Sequence, residues 1–150
     1  MAARRKLAAD AWGSLLQVHA SLVPALDQVV RQTNGMPLSC YDVLLELAAA
    51  PHGRLRMGDL AERVVLSRTR VSRLVDDMVA RGWIAKQGDP EDRRSAYAEI
   101  TRPGLAEFKA AAPNYLRAIE REFAAPLTNE ELEQLKVLLD KVNPRQQPEG

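Results

Sequence analysis

Residues 58–82 read GDLAERVVLSRTRVSRLVDDMVARG, and the pattern in this segment decides the fold. A short helix begins at residues 58–59, a turn follows at residues 65–66, and Ser67 occupies the N-cap position of a second helix. The second helix is predicted over residues 68–81, because the glycine at position 82 is a common helix terminator. Its apolar residues recur at the i, i+3, i+4, i+7 spacing of one helix face, and they are Val71, Leu74, Val75 and Met78. This order is typical of a helix-turn-helix.

The opposite face of the second helix is polar and basic. Thr69, Arg73, Asp76 and Ala80 lie opposite the apolar face, and no acid occurs between residues 63 and 75. A major groove admits an α-helix, arginine reads guanine through two hydrogen bonds, and a helix N-terminus favours a phosphate. The sequence therefore predicts contacts with double-stranded DNA from this helix and its cap, through Ser67, Arg68, Thr69, Arg70, Ser72 and Arg73.

A β-hairpin is predicted directly after this helix. Residues 83–86 and 96–100 are short strand-like runs, and the loop between them is polar and rich in turn residues. Arg93 and Arg94 near the tip of the loop could place a guanidinium in a minor groove, where a narrow A·T tract has enhanced negative potential. Asp92 is the carboxylate predicted to hold one of these arginines in position.

Helices flank this central region on both sides. The first is predicted over residues 5–32, where Pro24 would kink or split it, and the second is predicted to start at Ser39 as N-cap. Thr101 is the predicted cap of a long helix, and Thr128 begins a capping-box spacing before the last one. The predicted fold is mainly α with a small β-hairpin wing. Its predicted parts are a helical dimerisation region at 1–36 and 101–143, a DNA-binding lobe at 37–100 and a frayed tail at 144–150.

The composition favours an ordinary globular domain. Of the 150 residues, 46% are hydrophobic and only 5% are aromatic, so the core must be built from Leu, Val, Ala and Met. A single cysteine excludes an internal disulfide framework and fits a reducing cytosol. No apolar run is long enough for a membrane span and no signal peptide is evident, so we expect no membrane partner and a cytoplasmic location.

The sequence offers no catalytic, cofactor or metal motif. It has two histidines, and it contains no G-x-G-x-x-G, no P-loop, no H-x-x-x-H and no C-x-x-C. We therefore expect neither an enzyme nor a bound cofactor or metal. A winged helix that binds proteins remains an alternative, although such a helix more often exposes an apolar or aromatic patch than arginines.

Five segments together resemble the multiple antibiotic resistance regulator (MarR) family. They are LRMGDLAER at 55–63, LSRTRVSRLVD at 66–76, RGWI at 81–84, DPEDRRS at 89–95 and ITRPG at 100–104. The resemblance implies a transcriptional repressor that binds a near-palindromic operator as a homodimer. The first and last helices of the two copies would interleave, and the two lobes would read half-sites about one helical turn apart. It also implies that residues 68–81 form the recognition helix and that Arg94 is the minor-groove arginine, with Arg93 as the alternative and Asp92 as the supporting carboxylate.

The resemblance further implies control by a small molecule. Many family members release DNA when a phenolic or anionic ligand binds between the lobes and the dimerisation helices. Trp12 and His19 share a face of the first helix and could line such a pocket, although a core tryptophan and an unrelated histidine are the simpler interpretation. Redox sensing is an alternative, because Cys40 lies near the start of the second helix, where the helix dipole could lower the pKa of its thiol.

Overall fold

The computed structural model describes residues 1–64 and 68–146 of the chain, and within them the fold is mainly helical, as predicted. The first half contains α1 (Ala2–Asn34), α2 (Leu38–Ala49), β1 (Arg54–Arg56), α3 (Met57–Arg63) and α4 (Arg68–Ala80). The second half contains β2 (Ile84–Gly88), β3 (Ala96–Ile100), α5 (Arg102–Ile119) and α6 (Asn129–Val142). None of these helices is both long enough and apolar enough to cross a membrane.

The three strands form one antiparallel sheet in the order β1-β3-β2. β2 and β3 are the predicted hairpin, with Ile84 opposite Ile100 and Gly88 opposite Ala96. β1 pairs with the outer edge of β3, which places Arg56 opposite Tyr97. The short extended segment at 54–56 thus becomes the third strand of the sheet, and its last residue lies beside the wing.

The hydrophobic core lies where α2, α3 and α4 pack against the sheet and the start of α5. Its largest fully buried side chains are mostly Leu, Val and Met, as the composition predicts, and they include Met36, Leu44, Leu47, Leu60 and Met78. α1 contributes Leu26 and Val30 from its last turns. The ring of Tyr41 on α2 packs 5.2 Å from that of Phe108 and 4.7 Å from that of Tyr115, so α5 is joined to the lobe by aromatic contacts.

Neither internal proline splits its helix. α1 continues through Pro24, and α5 continues through Pro113. A proline removes one backbone hydrogen bond, and the remaining bonds of a long helix together with its packing outweigh that loss. α1 and α5 pack against each other, which supplies the packing.

The sequence predicts that Ser39 caps the N-terminus of α2, but in the structure a side chain from α1 caps it. The helix begins at Leu38, and the Leu38 N–H donates to Asp27 Oδ1 at 2.8 Å. Asp27 Oδ2 also accepts a 2.6 Å bond from Arg31. Partial burial opposes ionisation of this carboxyl, but the two hydrogen bonds prevail and lower the pKa of Asp27. The cap was missed because its donor and acceptor lie eleven residues apart.

A compact corner joins α4, the sheet and α5. Gly82 adopts a left-handed conformation with φ of 79° where α4 ends, and the Trp83 N–H bonds to the Met78 carbonyl. Thr101 Oγ1 donates to the Gly82 carbonyl at 2.6 Å and accepts from the Gly104 N–H at 3.1 Å, so it is the predicted N-cap of α5. Gly104 lies directly against the Trp83 backbone, where an added Cβ would be 2.1 Å from the Trp83 carbonyl oxygen.

The last described residues follow α6 and contact α3. Thr128 forms the predicted capping box with Glu131 at the start of α6. Residues 144–146 form a short 3-10 turn, and the Arg145 guanidinium donates to the Arg63 carbonyl at 3.0 Å. These residues belong to the predicted frayed tail, and Arg145 supplies a donor to the C-terminal end of α3.

We expect Gly104→Ala to destabilise the fold by about 1–3 kcal/mol, because its Cβ would clash with backbone that cannot move aside. At an unhindered helical position the same change would stabilise the protein by about 0.5–1 kcal/mol. Urea unfolding followed by circular dichroism measures the difference. Ala106→Gly, at an exposed position of the same helix, reports the effect of helix propensity alone. A Gly104→Ala variant more stable than the unmodified protein would contradict the close contact between Gly104 and the Trp83 backbone.

Candidate nucleic-acid interface

The face of α4 that the sequence predicts to meet DNA is exposed. Val71, Val75 and Met78 are buried against the lobe, which turns the opposite side of the helix to the surface. Thr69, Arg70 and Arg73 are exposed on that side, and Ser72 is half-buried at its edge. Ser67 and the side chain of Arg68 lie outside the described part of the chain.

The far end of α4 is tied to the sheet. Asp76 Oδ1 lies 3.4 Å from Lys86 Nζ on β2. Directly after α4, Arg81 donates a hydrogen bond to the Gly35 carbonyl at the end of α1, and the Arg81 guanidinium lies 4.8 Å from the centre of the Trp83 ring. Arg73, in contrast, has no hydrogen-bond or ion-pair partner within the described ranges. Its guanidinium is therefore available to a ligand.

The wing loop between β2 and β3 is held by its own backbone and by two aspartates. The Asp89 N–H donates to the Ser95 carbonyl, and the Ser95 N–H donates to the Asp92 carbonyl. Asp92 Oδ1 accepts from the Arg94 N–H at 3.0 Å, and Asp89 Oδ1 accepts from the Glu91 N–H at 2.9 Å. Asp92 thus contacts Arg94, one of the two arginines that it is predicted to hold, through the backbone N–H of that residue.

Arg93 and Arg94 are both exposed at the end of this loop. Neither guanidinium has a partner among residues 1–64 and 68–146. The structure therefore places two unpaired cations at the tip of a loop whose backbone is ordered, on the same lobe as the exposed face of α4.

A cleft of about 410 Å³ lies between α4, α3 and the wing. Ser72 of α4 and Asp59 of α3 line one part of it, and three cations, Arg56, Lys86 and Arg94, line the rest. The cleft makes the region between helix and wing predominantly basic, which suits a polyanion that contacts both.

Sequence reasoning missed the group that anchors the wing. Arg56 Nη2 lies 3.1 Å from Asp89 Oδ2, its Nη1 donates to Ser95 Oγ at 2.7 Å, and its guanidinium lies 4.9 Å from the centre of the Tyr97 ring. The proximity of Arg56 to the wing depends on pairing between β1 and β3. No local pattern predicts that pairing.

Trp12 and His19 do not line a common cavity within the described residues. Both are exposed on α1, with 61% of Trp12 accessible. A groove of about 470 Å³ opens beside them between α1 and the segment before α6, and its lining includes Val18, Leu22 and Phe123 but neither of the two predicted residues. In a single copy of the chain they form no pocket.

Cys40 does not have the properties of a redox sensor. Its side chain is buried, and burial raises the pKa of the thiol to about 11, although Arg81 and Arg31 act in the opposite direction. The expected lowering of this pKa by the helix dipole is therefore wrong, because removal from water dominates.

The described residues also contain no cluster of three His, Cys, Asp or Glu side chains that could hold a metal.

Comparison with known proteins identifies the family. A MarR family model matches residues 34–95. The structure of Sco3205, a MarR family transcriptional regulator from Streptomyces coelicolor in complex with DNA, superposes with a TM-score of 0.83. It is 30% identical to this chain, and the match covers 92% of this chain and 90% of that one.

Two curated relatives agree with this assignment. The uncharacterized HTH-type transcriptional regulator YkoM of Bacillus subtilis is 30% identical over 89 residues, which are 59% of this chain and 57% of the relative. The transcriptional repressor MprA of Escherichia coli is 24% identical over 119 residues, which are 77% of this chain and 68% of MprA. The chain thus spans less than two thirds of YkoM. From the family match, the DNA-complex structure and the winged fold, the chain belongs to the MarR family of transcriptional regulators.

Proposed function

We propose that this chain represses transcription by binding a near-palindromic operator as a homodimer. Regulation of transcription through DNA binding is the general function that its family and winged-helix fold support. The observation that carries the proposal is that the guanidinium groups of Arg73 on α4 and Arg94 on the wing have no partners within the described residues. Arg94 also lines a basic cleft to which α4 contributes Ser72. Unpaired, ordered arginines on a recognition helix and a wing are suited to base edges and phosphates.

In the major groove, α4 would contact base edges and phosphates through the first half of its exposed face. Recognition helices place their N-terminal residues on bases, and arginine pairs with guanine through two hydrogen bonds. The proposed contacts are Ser67, Arg68, Thr69, Arg70, Ser72 and Arg73.

In the minor groove, the wing would insert Arg94, with Arg93 beside it. A narrow A·T-rich minor groove attracts guanidinium groups electrostatically. Asp92 would contribute by fixing the backbone of Arg94, because its carboxylate accepts the Arg94 N–H while the Arg94 guanidinium has no partner within the described residues.

The homodimer is supported by apolar surface that a single copy leaves uncovered. α1 is 33 residues long, and most of its first two-thirds is exposed. The exposed large apolar side chains of α1, α5 and α6 are Leu7, Trp12, Leu15, Leu16, Val18, Val23, Leu116, Val137, Leu138, Leu139 and Val142. Monomeric proteins seldom expose so extended an apolar surface. We propose that residues 1–36 and 101–143 cover it by pairing with a second copy, and that the two-fold symmetry accounts for a near-palindromic operator.

Control by a small phenolic or anionic effector belongs to the same proposal. Trp12 and His19 could line an effector pocket only if the second copy closes over α1, because one chain leaves them exposed. Repression is supported by the name of the relative MprA. The protein would act in the cytoplasm, where its DNA is accessible.

Selection of bound sequences from a random duplex pool tests the proposal. We expect enrichment of an inverted repeat, and we expect Arg73→Ala and Arg94→Ala each to weaken binding of that repeat by about 1–3 kcal/mol. Lys109→Ala, at an exposed position on α5, is the control for a lost positive charge away from the interface. Fluorescence anisotropy at fixed salt gives the affinities. If Arg94→Ala binds as tightly as the unmodified protein, the wing assignment is wrong, and if no sequence is enriched the operator proposal fails.

Light scattering tests the dimer. We expect twice the chain mass of 16.6 kDa at micromolar concentration, and we expect Leu138→Lys to shift the mass toward that of one chain. Leu138 is 60% exposed in the single copy, so a lysine there can be tolerated by the fold while placing a charge in the proposed interface. Val79→Lys, at an exposed apolar position on α4, should leave the dimer intact. A monomeric unmodified protein would exclude the proposed assembly.

A further inference from the structure

One arginine outside the exposed face of α4 contacts both ends of the wing loop. Arg56, the last residue of β1, pairs with Asp89 at the beginning of the loop and donates to Ser95 at its end. The same guanidinium lies 4.9 Å from the centre of the Tyr97 ring on β3. A planar guanidinium can form two directed bonds and stack on an aromatic ring at once, whereas a lysine ammonium cannot.

The ion pair with Asp89 is better shielded from solvent than an ordinary surface pair. The Asp89 side chain is only 9% exposed, and its second oxygen accepts the Glu91 N–H at 2.9 Å. Asp89 therefore connects the Arg56 guanidinium to the backbone of the loop. Because the loop is polar and contributes no buried side chain to the core, these contacts are the main link between the wing tip and the rigid sheet.

We propose that Arg56 is a positioning residue of the wing. Through Asp89 and Ser95 it fixes the angle at which the loop leaves the sheet, and thereby the place where Arg94 meets the minor groove. It would thus determine how strongly the protein prefers A·T-rich over G·C-rich sequence under the wing. This inference rests on the proposed function, since it concerns how the DNA-binding wing is held.

A direct phosphate contact is the competing role for Arg56. Its side chain is 45% exposed and lines the basic cleft, so a cation there could bind DNA without any effect on the wing. The two roles predict opposite results for Asp89→Asn. This change removes a negative charge from a surface that faces DNA, so a purely electrostatic account predicts equal or tighter binding. Loss of the anchor predicts weaker binding.

The experiment compares Asp89→Asn with Asp59→Asn on the selected operator. Asp59 is exposed, lines the cleft that Arg56 and Arg94 also line, and has no bond to the wing among the described residues, so it is a control for the loss of a negative charge near the wing. We expect Asp89→Asn to bind the operator about fivefold more weakly, which is near the lower end of the loss expected when a DNA-contacting arginine is removed. We expect Asp59→Asn to bind the operator as tightly as the unmodified protein or more tightly. In the Arg94→Ala background Asp89→Asn should cause no further loss. Equal behaviour of the two aspartate variants, or additive losses, would overturn the proposal.

Arg56→Lys separates charge from geometry. It keeps a cation for a phosphate but cannot clamp both ends of the loop, so we expect it to lose affinity for A·T-flanked operators and to lose part of the preference over G·C-flanked ones. Full retention of affinity and preference by Arg56→Lys would assign Arg56 to phosphate binding instead.

Hydrogen exchange supplies a measurement that needs no DNA. The amides of Asp89, Glu91, Arg94 and Ser95 are hydrogen-bonded within the loop, and we expect them to exchange faster in Asp89→Asn and Arg56→Lys than in Asp59→Asn. If these amides exchange at the same rate in all three variants, Arg56 does not anchor the wing, even where operator binding is strong. Faster exchange in a protein that selects no operator would support the anchor while the proposed function fails, so the two failures can be told apart.

Discussion

The close contact between Gly104 and the backbone of Trp83 fixes the relative directions of three elements. α4 ends three residues before Trp83, β2 begins one residue after it, and α5 starts against its carbonyl. Thr101 completes the corner, because its hydroxyl donates to Gly82 and accepts from Gly104. The recognition helix, the wing and the long helix toward the proposed dimer interface therefore share one rigid junction. A side chain at position 104 would disturb all three.

Sequence alone predicted the elements whose determinants are local. The Thr101 cap, the Thr128 capping box and the apolar face of α4 depend on residues that are close in sequence, so periodicity and spacing reveal them. The hairpin joins two strands that follow each other directly along the chain, and the polar loop between them marks it. Interactions between distant segments were not predictable in this way. Asp27 caps α2 from α1, and Arg56 reaches Ser95 across 39 positions through a strand pairing that no motif signals. The contacts of the wing tip were thus partly predicted, whereas its anchor was not.

Two further residues illustrate how the folded environment overrides local tendencies. Position near a helix N-terminus favours a reactive thiolate, yet burial of Cys40 has the larger effect and keeps it protonated. A proline tends to interrupt a helix, yet α1 passes through Pro24 while packing against α5. In both cases the local effect operates, but the effect of the surrounding fold, burial for Cys40 and helix packing for Pro24, is larger.

The arginines of this lobe divide into those used by the fold and those left for a ligand. Arg56 holds the wing, Arg81 bonds to the end of α1, and Arg145 bonds to the end of α3. Arg73 and Arg94 have no partner in the described residues. A net charge of only +1 would not indicate a polyanion as partner. The distribution does, because Arg73 on α4 and Arg93 and Arg94 on the wing are exposed and have no partner within the described residues.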